Sequence, residues 1–362
     1  MSNPVRYVWL AVGLATAAAV IADVTLSQLT GSRQSVARST NMIPAVPPSI
    51  PIAPTSAAAP TTAVIAGVPE PTAASRSSSA TKNCVAYPHT CGYPDATNTG
   101  VPASVHLLSV PGQVSSGPGW AYEPGGWVEV YGNGADLSGL YIPYNLDVSA
   151  SDVTITDDEI VTTGTGDFGI SLRSTANVTV SHTSVYSPDN TGPNRLQYGI
   201  KDIYADSTGT VLNADNIWNT STAIAISEGT VENSYIHSFG YSPGDHNDGI
   251  ASDAGTTQGL SITHNTILNS LDETDAIQLS QDFGPQMNVT ISRNLLAGGS
   301  YTLYAGDSGS ATPTNIVITG NRFSTIYHPE SGTFGPAAYV ATGPGDTWSG
   351  NIWDNTAKPV SP

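Results

Sequence analysis

The sequence predicts an all-β solenoid of stacked parallel strands. Three observations carry that prediction: a short phrase repeated at a near-constant interval, a second apolar column inside the same units, and a file of asparagines at one point of the repeat. The phrase is an aliphatic residue, two loose positions, a small polar residue, one further position and an apolar residue. Its eight copies are Ile155/Asp158/Ile160, Val180/Thr183/Val185, Leu212/Asp215/Ile217, Val231/Ser234/Ile236, Ile262/Asn265/Ile267, Ile291/Asn294/Leu296, Ile318/Asn321/Phe323 and Trp348/Asn351/Trp353. Successive first positions lie 25, 32, 19, 31, 29, 27 and 30 residues apart. Such a period marks one structural unit per repeat, each stacked on its neighbours.

The units are strands, not helices. They are rich in Gly, Thr, Ser and Asn, and apolar residues alternate with polar ones, as in Asn177-Val-Thr-Val-Ser and Asn315-Ile-Val-Ile-Thr. Alternation of period two is the signature of a strand. The second column, Gly169-Ile170, Gly199-Ile200, Ala223-Ile224, Gly249-Ile250, Ala276-Ile277 and Thr302-Leu303, opens another strand in each unit. Like strands then stack at about 4.8 Å per rung. Asn265, Asn294, Asn321 and Asn351 fall at one position of consecutive rungs. Asn tolerates a left-handed turn, and its amide both donates and accepts along a stack, so these residues are expected to be turn scaffolding.

The segments before the repeats follow in chain order. Met1 to Arg6 carries one Arg, and Tyr7 to Ala22 is uncharged and mostly apolar. Residues 1–22 therefore read as a secretory signal or, if retained, a signal anchor. Residues 23–83 are rich in Pro, Ala, Ser and Thr with no pattern that buries a face, as in a disordered, semi-extended linker. The two cysteines, Cys84 and Cys91, are expected to form one disulfide in an exported protein. They open an N-terminal cap over 84–139, which includes the aromatic segment Trp120-Ala-Tyr-Glu-Pro-Gly-Gly-Trp. The repeats occupy 140–362.

From about Leu140 to Asn355 the rung columns resemble the right-handed parallel β-helix superfamily of pectate lyases and related polysaccharide-degrading enzymes. Cys91-Gly-Tyr-Pro-Asp-Ala-Thr-Asn-Thr-Gly-Val-Pro and Trp348-Ser-Gly-Asn-Ile-Trp-Asp more narrowly resemble secreted actinobacterial β-helix repeat proteins of unassigned activity. The resemblance implies a single-stranded right-handed parallel β-helix of about eight or more rungs. It also implies a polysaccharide as partner, in a groove on the sheet that follows the longest loops.

Composition narrows the partner. Charged residues make up 11% of the chain and the formal net charge is −18, which argues against nucleic acid. An extracellular or cell-wall polysaccharide fits better, with membrane contact only if the N-terminal segment is retained and with the chain acting as a monomer. The connection into the Gly-Ile strand is long after Val185 and Ile236 and shrinks to a few residues after Ile217. Long loops flanking a short one make a groove, and function concentrates in such connections.

The densest ionisable cluster lies there. Asp248 and Asp275 each stand two residues before a column isoleucine, so stacking places them side by side. Carboxyls that close cannot both ionise freely: one is held protonated, or a cation bridges them. Such a pair suits acid/base glycoside hydrolysis. By parity with Ile250, Asp248 is expected at the bend and not within the strand, where its charge would be buried. His246, on the adjoining loop, suits proton transfer. Lys201 is the candidate base for β-elimination, with Arg173 neutralising a uronate; the bland alternative is a solvated pair balancing Asp202 and Glu228. Arg195, Asp253, Gln278 and Tyr304 are the further candidates for substrate contact. No motif demands a cofactor; calcium, held by Asp245 and Asp272, is the one cation the acidic stretches suggest.

Overall fold

The computed structural model describes residues 84–162, 168–309 and 311–362. The expected signal (1–22) and linker (23–83) lie outside the described residues. Among the described residues the protein is all-β, its helical segments being the short 3₁₀ turns Pro88–Cys91 and Gly192–Asn194. None is long and apolar enough to cross a membrane. The strands form three long sheets of nine, ten and eleven members, parallel except for hairpins at the start of the largest.

The chain visits these sheets in rotation. Thr154–Thr156 lies in the nine-stranded sheet, Glu159–Val161 in the ten-stranded and Phe168–Leu172 in the eleven-stranded; Thr179–Ser181 then returns beside the first. This order is compatible with a parallel β-helix. Parallel pairing begins ahead of Leu140, since Trp127–Val130 already lies beside Asn145–Val148. Trp120–Glu123 folds back on that strand as an antiparallel hairpin and buries Trp120. Cys84 and Cys91 are joined in a disulfide, which is consistent with an oxidising compartment. Cys84 and Val85 rest on Leu268, Leu295 and Ala297 in a second, smaller apolar cluster.

Each sheet contributes one apolar column to a shared core. Ile155, Val180, Leu212, Val231, Ile262, Ile291 and Ile318 are in register in the nine-stranded sheet and are buried. Ile160, Val185, Ile217, Ile236, Ile267, Leu296 and Phe323 do the same in the ten-stranded sheet. Ile170, Ile200, Ile224, Ile250, Ile277 and Leu303 complete the interior from the third. Each such side chain contributes about 1.5–3 kcal/mol by leaving water, so these three files supply the main driving force for folding.

The polar position of the repeat fixes how the rungs meet. The backbone N–H of Asn265 donates to Asn294 Oδ1 (2.8 Å), that of Asn294 to Asn321 Oδ1 (3.0 Å) and that of Asn321 to Asn351 Oδ1 (3.0 Å). Each Nδ2 also donates to a carbonyl of the preceding rung; Asn265 reaches Val231 O at 2.9 Å and Asn294 reaches Ile262 O at 2.9 Å. Every polar atom of these buried amides is thereby satisfied. The ladder extends upstream without asparagine: Ser234 N–H donates to Asn265 Oδ1, Asp215 N–H to Ser234 Oγ, Thr183 N–H to Asp215 Oδ1 and Leu140 N–H to Asp158 Oδ1.

One expectation about the asparagines is corrected. The left-handed residue is the one before each of them: His264 (φ 58°), Arg293 (φ 56°), Gly320 (φ 67°) and Gly350 (φ 64°). The preceding residue turns the chain, which leaves the Asn side chain free to point inward along the stack.

Asp158 and Asp215 stand where an Asn would donate with Nδ2, and their Oδ2 atoms have no hydrogen-bond partner. Burial pushes both carboxyls up to about 8, so at neutral pH each is held as the uncharged acid. The folded pKa exceeds the ordinary carboxylate value, so stability is lost as pH rises from about 4 through about 8. Asp215→Asn restores the missing donor. Its thermal midpoint is expected to exceed that of the wild type, with the gap widening through this range and corresponding above it to a stability difference of about a few kcal/mol. Equal midpoints for the two proteins at pH 9 would contradict this account.

Candidate functional site

The site is a groove on the outer face of the eleven-stranded sheet, and one short rung makes it. Before the Leu196–Asp202 strand the connection runs over 187–195, and before Asp248–Ser252 over 238–247; before Thr220–Ala225 it is Asn219 alone. On the far side of the same strand the connection is only 226–228, while its neighbours run over 203–210 and 253–259. The short rung is thus walled at both ends by its neighbours' loops. The two long loops also hold each other: Gly192 N–H donates to Tyr241 O (2.8 Å) and Tyr241 N–H to Asn190 O (2.9 Å).

The recess has a volume of about 400 Å³, with Ala225 and Ala251 among its lining residues beside Tyr198, Lys201, Thr222, His246, Asp248, Asp253, Gln278 and Asp282. A second recess of about 550 Å³ shares Lys201 and Asp253 and is lined by Tyr204 and Phe283. Small residues on the middle strands leave the space; longer ones on the outer strands border it.

Asp248 reaches this groove through a bend that strict alternation does not anticipate. A Cβ at Gly249 would meet Ile267 Cγ2 at 2.5 Å, one at Gly199 would meet Ile217 Cγ2 at 2.9 Å, and one at Gly169 would meet Val185 Cγ1 at 2.5 Å. The glycine column therefore faces the core together with the isoleucine after it. That double inward step turns the preceding residue outward. Asp248 is accordingly within the strand, not at a bend outside it, and lines the groove. It is only 5% exposed, and burial pushes its carboxyl above the ordinary range.

Asp248 and Asp275 are register partners, as the repeat predicts. Thr222 Oγ1 donates to Asp248 Oδ2 at 3.2 Å. Asp275 is fully buried, neither of its oxygens meets an N–H or hydroxyl donor, and its carboxyl faces that of Asp248. Burial raises the Asp275 carboxyl well above the ordinary range, and the neighbouring charge of Asp248 adds to the effect. Burial also raises Asp248, partly offset by the hydrogen bond from Asp275 and by His246. The pair holds a proton at neutral pH with one member at the groove wall.

The surroundings are ordered by groups that the sequence did not single out. Asn247 donates through Nδ2 to Gly240 O (2.6 Å), and its backbone N–H donates to Thr274 Oγ1 (3.1 Å). Asn269 Nδ2 is placed to donate to the carbonyls of Asn247 (2.9 Å), Glu273 (2.9 Å) and Asp275 (3.0 Å). His246 Nδ1 lies 3.2 Å from Glu273 Oε1 on the rim, where both are substantially exposed.

The remaining candidates divide. Lys201 lines the groove with its Nζ 3.8 Å from the centroid of the Tyr198 ring. Asp253 and Gln278 line it too; burial raises Asp253, Asp282 adds to that, and Lys201 opposes it. Tyr304 stands one rung beyond Gln278. Arg173 lies outside the groove lining, and its Nε donates to Asp147 Oδ1 at 2.6 Å. That contact also replaces the expected balancing of Asp202, whose carboxylate instead accepts from Ser207. Arg195 and Asp245, expected at substrate and metal, bind each other, Arg195 Nε donating to Asp245 Oδ2 and Nη2 to Oδ1. Burial works to raise Asp245, but the Arg195 bond wins and holds it below the ordinary range.

Calcium takes six to eight oxygens, and the expected donors do not supply that set. Asp245 is consumed by Arg195, and Asp272 faces His328 (3.3 Å) and Thr333 (3.2 Å). Among the described residues no group of three or more His, Cys, Asp or Glu gathers around a common point.

Tyr198 was legible in principle, since it holds the same register two residues before Ile200 as Asp248 holds before Ile250. Asp282 and Glu273 lie in connections without period and carried no signal. Scans against protein-family models, curated proteins and solved structures return no match to this chain.

If the two carboxyls share a proton, removing one charge must lower the other group's pKa. In Asp248→Asn the Asp275 carboxyl is expected to titrate at lower pH than in the wild type, read from its ¹³C carboxyl shift. An unmoved titration would show that the two groups do not interact.

Proposed function

We propose that this chain is an exported, carbohydrate-active enzyme of the right-handed parallel β-helix class, hydrolysing an extracellular or cell-wall polysaccharide in the groove of its eleven-stranded sheet. The observation that carries the reading is the register-paired Asp248 and Asp275, one at the groove wall, with burial keeping a proton on the pair. A protonated carboxyl near neutral pH is what departure of a glycosidic oxygen requires. Asp248 serves as the general acid, and Asp275 positions its proton. The base is His246, whose Nδ1 lies 3.2 Å from Glu273 Oε1, leaving Nε2 for proton transfer. Asp253, Asp282 and Gln278 contact the sugar hydroxyls.

Elimination is the weaker chemistry for this groove. It needs a base beside a neutralised uronate, yet the Lys201 ammonium rests on Tyr198 and Arg173 is spent on Asp147. A glycan-binding protein without turnover is the second reading, favoured by the 5% exposure of Asp248.

The purified full chain would be screened on neutral and acidic polysaccharides, with and without calcium. New reducing ends without an ultraviolet-absorbing product indicate hydrolysis; an unsaturated, absorbing product indicates elimination. Asp248→Asn is expected to lower turnover at least ~100-fold while binding persists, in line with loss of a general acid. His246→Ala is expected to lower turnover at least ~100-fold while binding persists, in line with loss of a general base. Undiminished turnover in Asp248→Asn would reject the assignment.

A further inference from the structure

Along the stack of strands, one register column on the groove face reads Phe168, Tyr198, Thr222, Asp248, Asp275, Tyr301. Aromatic rings thus flank the acid pair on both sides. On the upstream side Phe168 and Tyr198 stack on each other at 5.8 Å, with Lys201 over Tyr198. On the downstream side Tyr301 meets Tyr304 at 5.6 Å and Phe334 at 5.9 Å, and Tyr304 stacks with Tyr339 at 5.9 Å. Phe334 is 65% and Tyr339 55% exposed, so this group is an open apron and not a buried core.

The charges around these rings are mostly of one sign. The groove presents Asp253 and Asp282 against the single ammonium of Lys201, and Arg195 is already matched to Asp245. Beside the apron, Asp272 bonds Thr333 and Asp307 N–H bonds Tyr339 O. A polyuronate would bring one further carboxylate per sugar into this field. An uncharged sugar brings none, and its C–H face suits the electron-rich face of an aromatic ring. Each rung advances about 4.8 Å, close to the length of one pyranose ring in an extended chain.

We propose that the groove face takes an uncharged, linear glycan laid along the stack of strands, its rings resting on Tyr301, Tyr304, Phe334 and Tyr339 immediately beyond Asp275. This rests on the carbohydrate reading above but not on turnover, and it sets the substrate class: neutral chains, not pectic or other acidic ones.

The test uses the full chain carrying Asp248→Asn, titrated with cellohexaose, xylohexaose, mannohexaose and hexagalacturonate by calorimetry at low and high salt. At least one neutral hexasaccharide is expected to bind, with an affinity unaffected by salt. Phe334→Ala and Tyr339→Ala, both at exposed positions, are each expected to weaken that binding about tenfold, the loss of one aromatic contact. Tighter binding of hexagalacturonate, no binding of any neutral chain, or unaltered affinity in both apron variants would overturn the inference. Ring-dependent binding of a neutral chain with no reducing ends released by the wild type would leave it standing and remove the hydrolase reading instead. Hydrolysis indifferent to the apron would do the reverse.

Discussion

A buried file of side-chain oxygens, each accepting the backbone N–H of the rung before it, holds this molecule in register. Asp158, Asp215, Ser234, Asn265, Asn294, Asn321 and Asn351 perform this task at one position of the repeat, while Thr183 at that position turns its hydroxyl to Ser181 O. An inward amide that slipped by one residue would lose its partners and leave polar atoms in an apolar interior. Register is therefore specified at the turn into the ten-stranded sheet, and the other connections are released to vary in length. Because register holds, two residues 27 apart in sequence, Asp248 and Asp275, meet as neighbours.

The same physical cause acts on two sets of acids with different outcomes. Asp158 and Asp215 are raised by burial inside the ladder, and they serve as uncharged stand-ins for asparagine. Asp248 and Asp275 are raised by burial too, but one of them lines a groove. Position, not acidity alone, separates a structural proton from one available for chemistry.

What could be read from the sequence was whatever repeats. The three apolar columns, the Asn file and the Asp248/Asp275 pairing all follow from residues that recur at one register. The direction of Asp248 did not follow, because alternation misses the double inward step at Gly249; those glycines look like turn residues, yet close approach to Val185, Ile217 and Ile267 is what requires them. Arg293 in the left-handed region gave no cue either, since Arg does not favour it. The pairing of Arg195 with Asp245 joins two aperiodic loops, so nothing in either segment announced the other.

The single residue Asn219, which joins two sheets where neighbouring rungs use long loops, has a wider consequence. The recess exists because chain is missing there, not because the interior has been carved. Ile217 and Ile224 on either side keep their places in the core. Lengthening that one hinge would narrow the hollow, and trimming its neighbours would widen it, with the packed columns untouched. The shape of what this surface admits is thus set by a variable independent of what keeps the molecule folded.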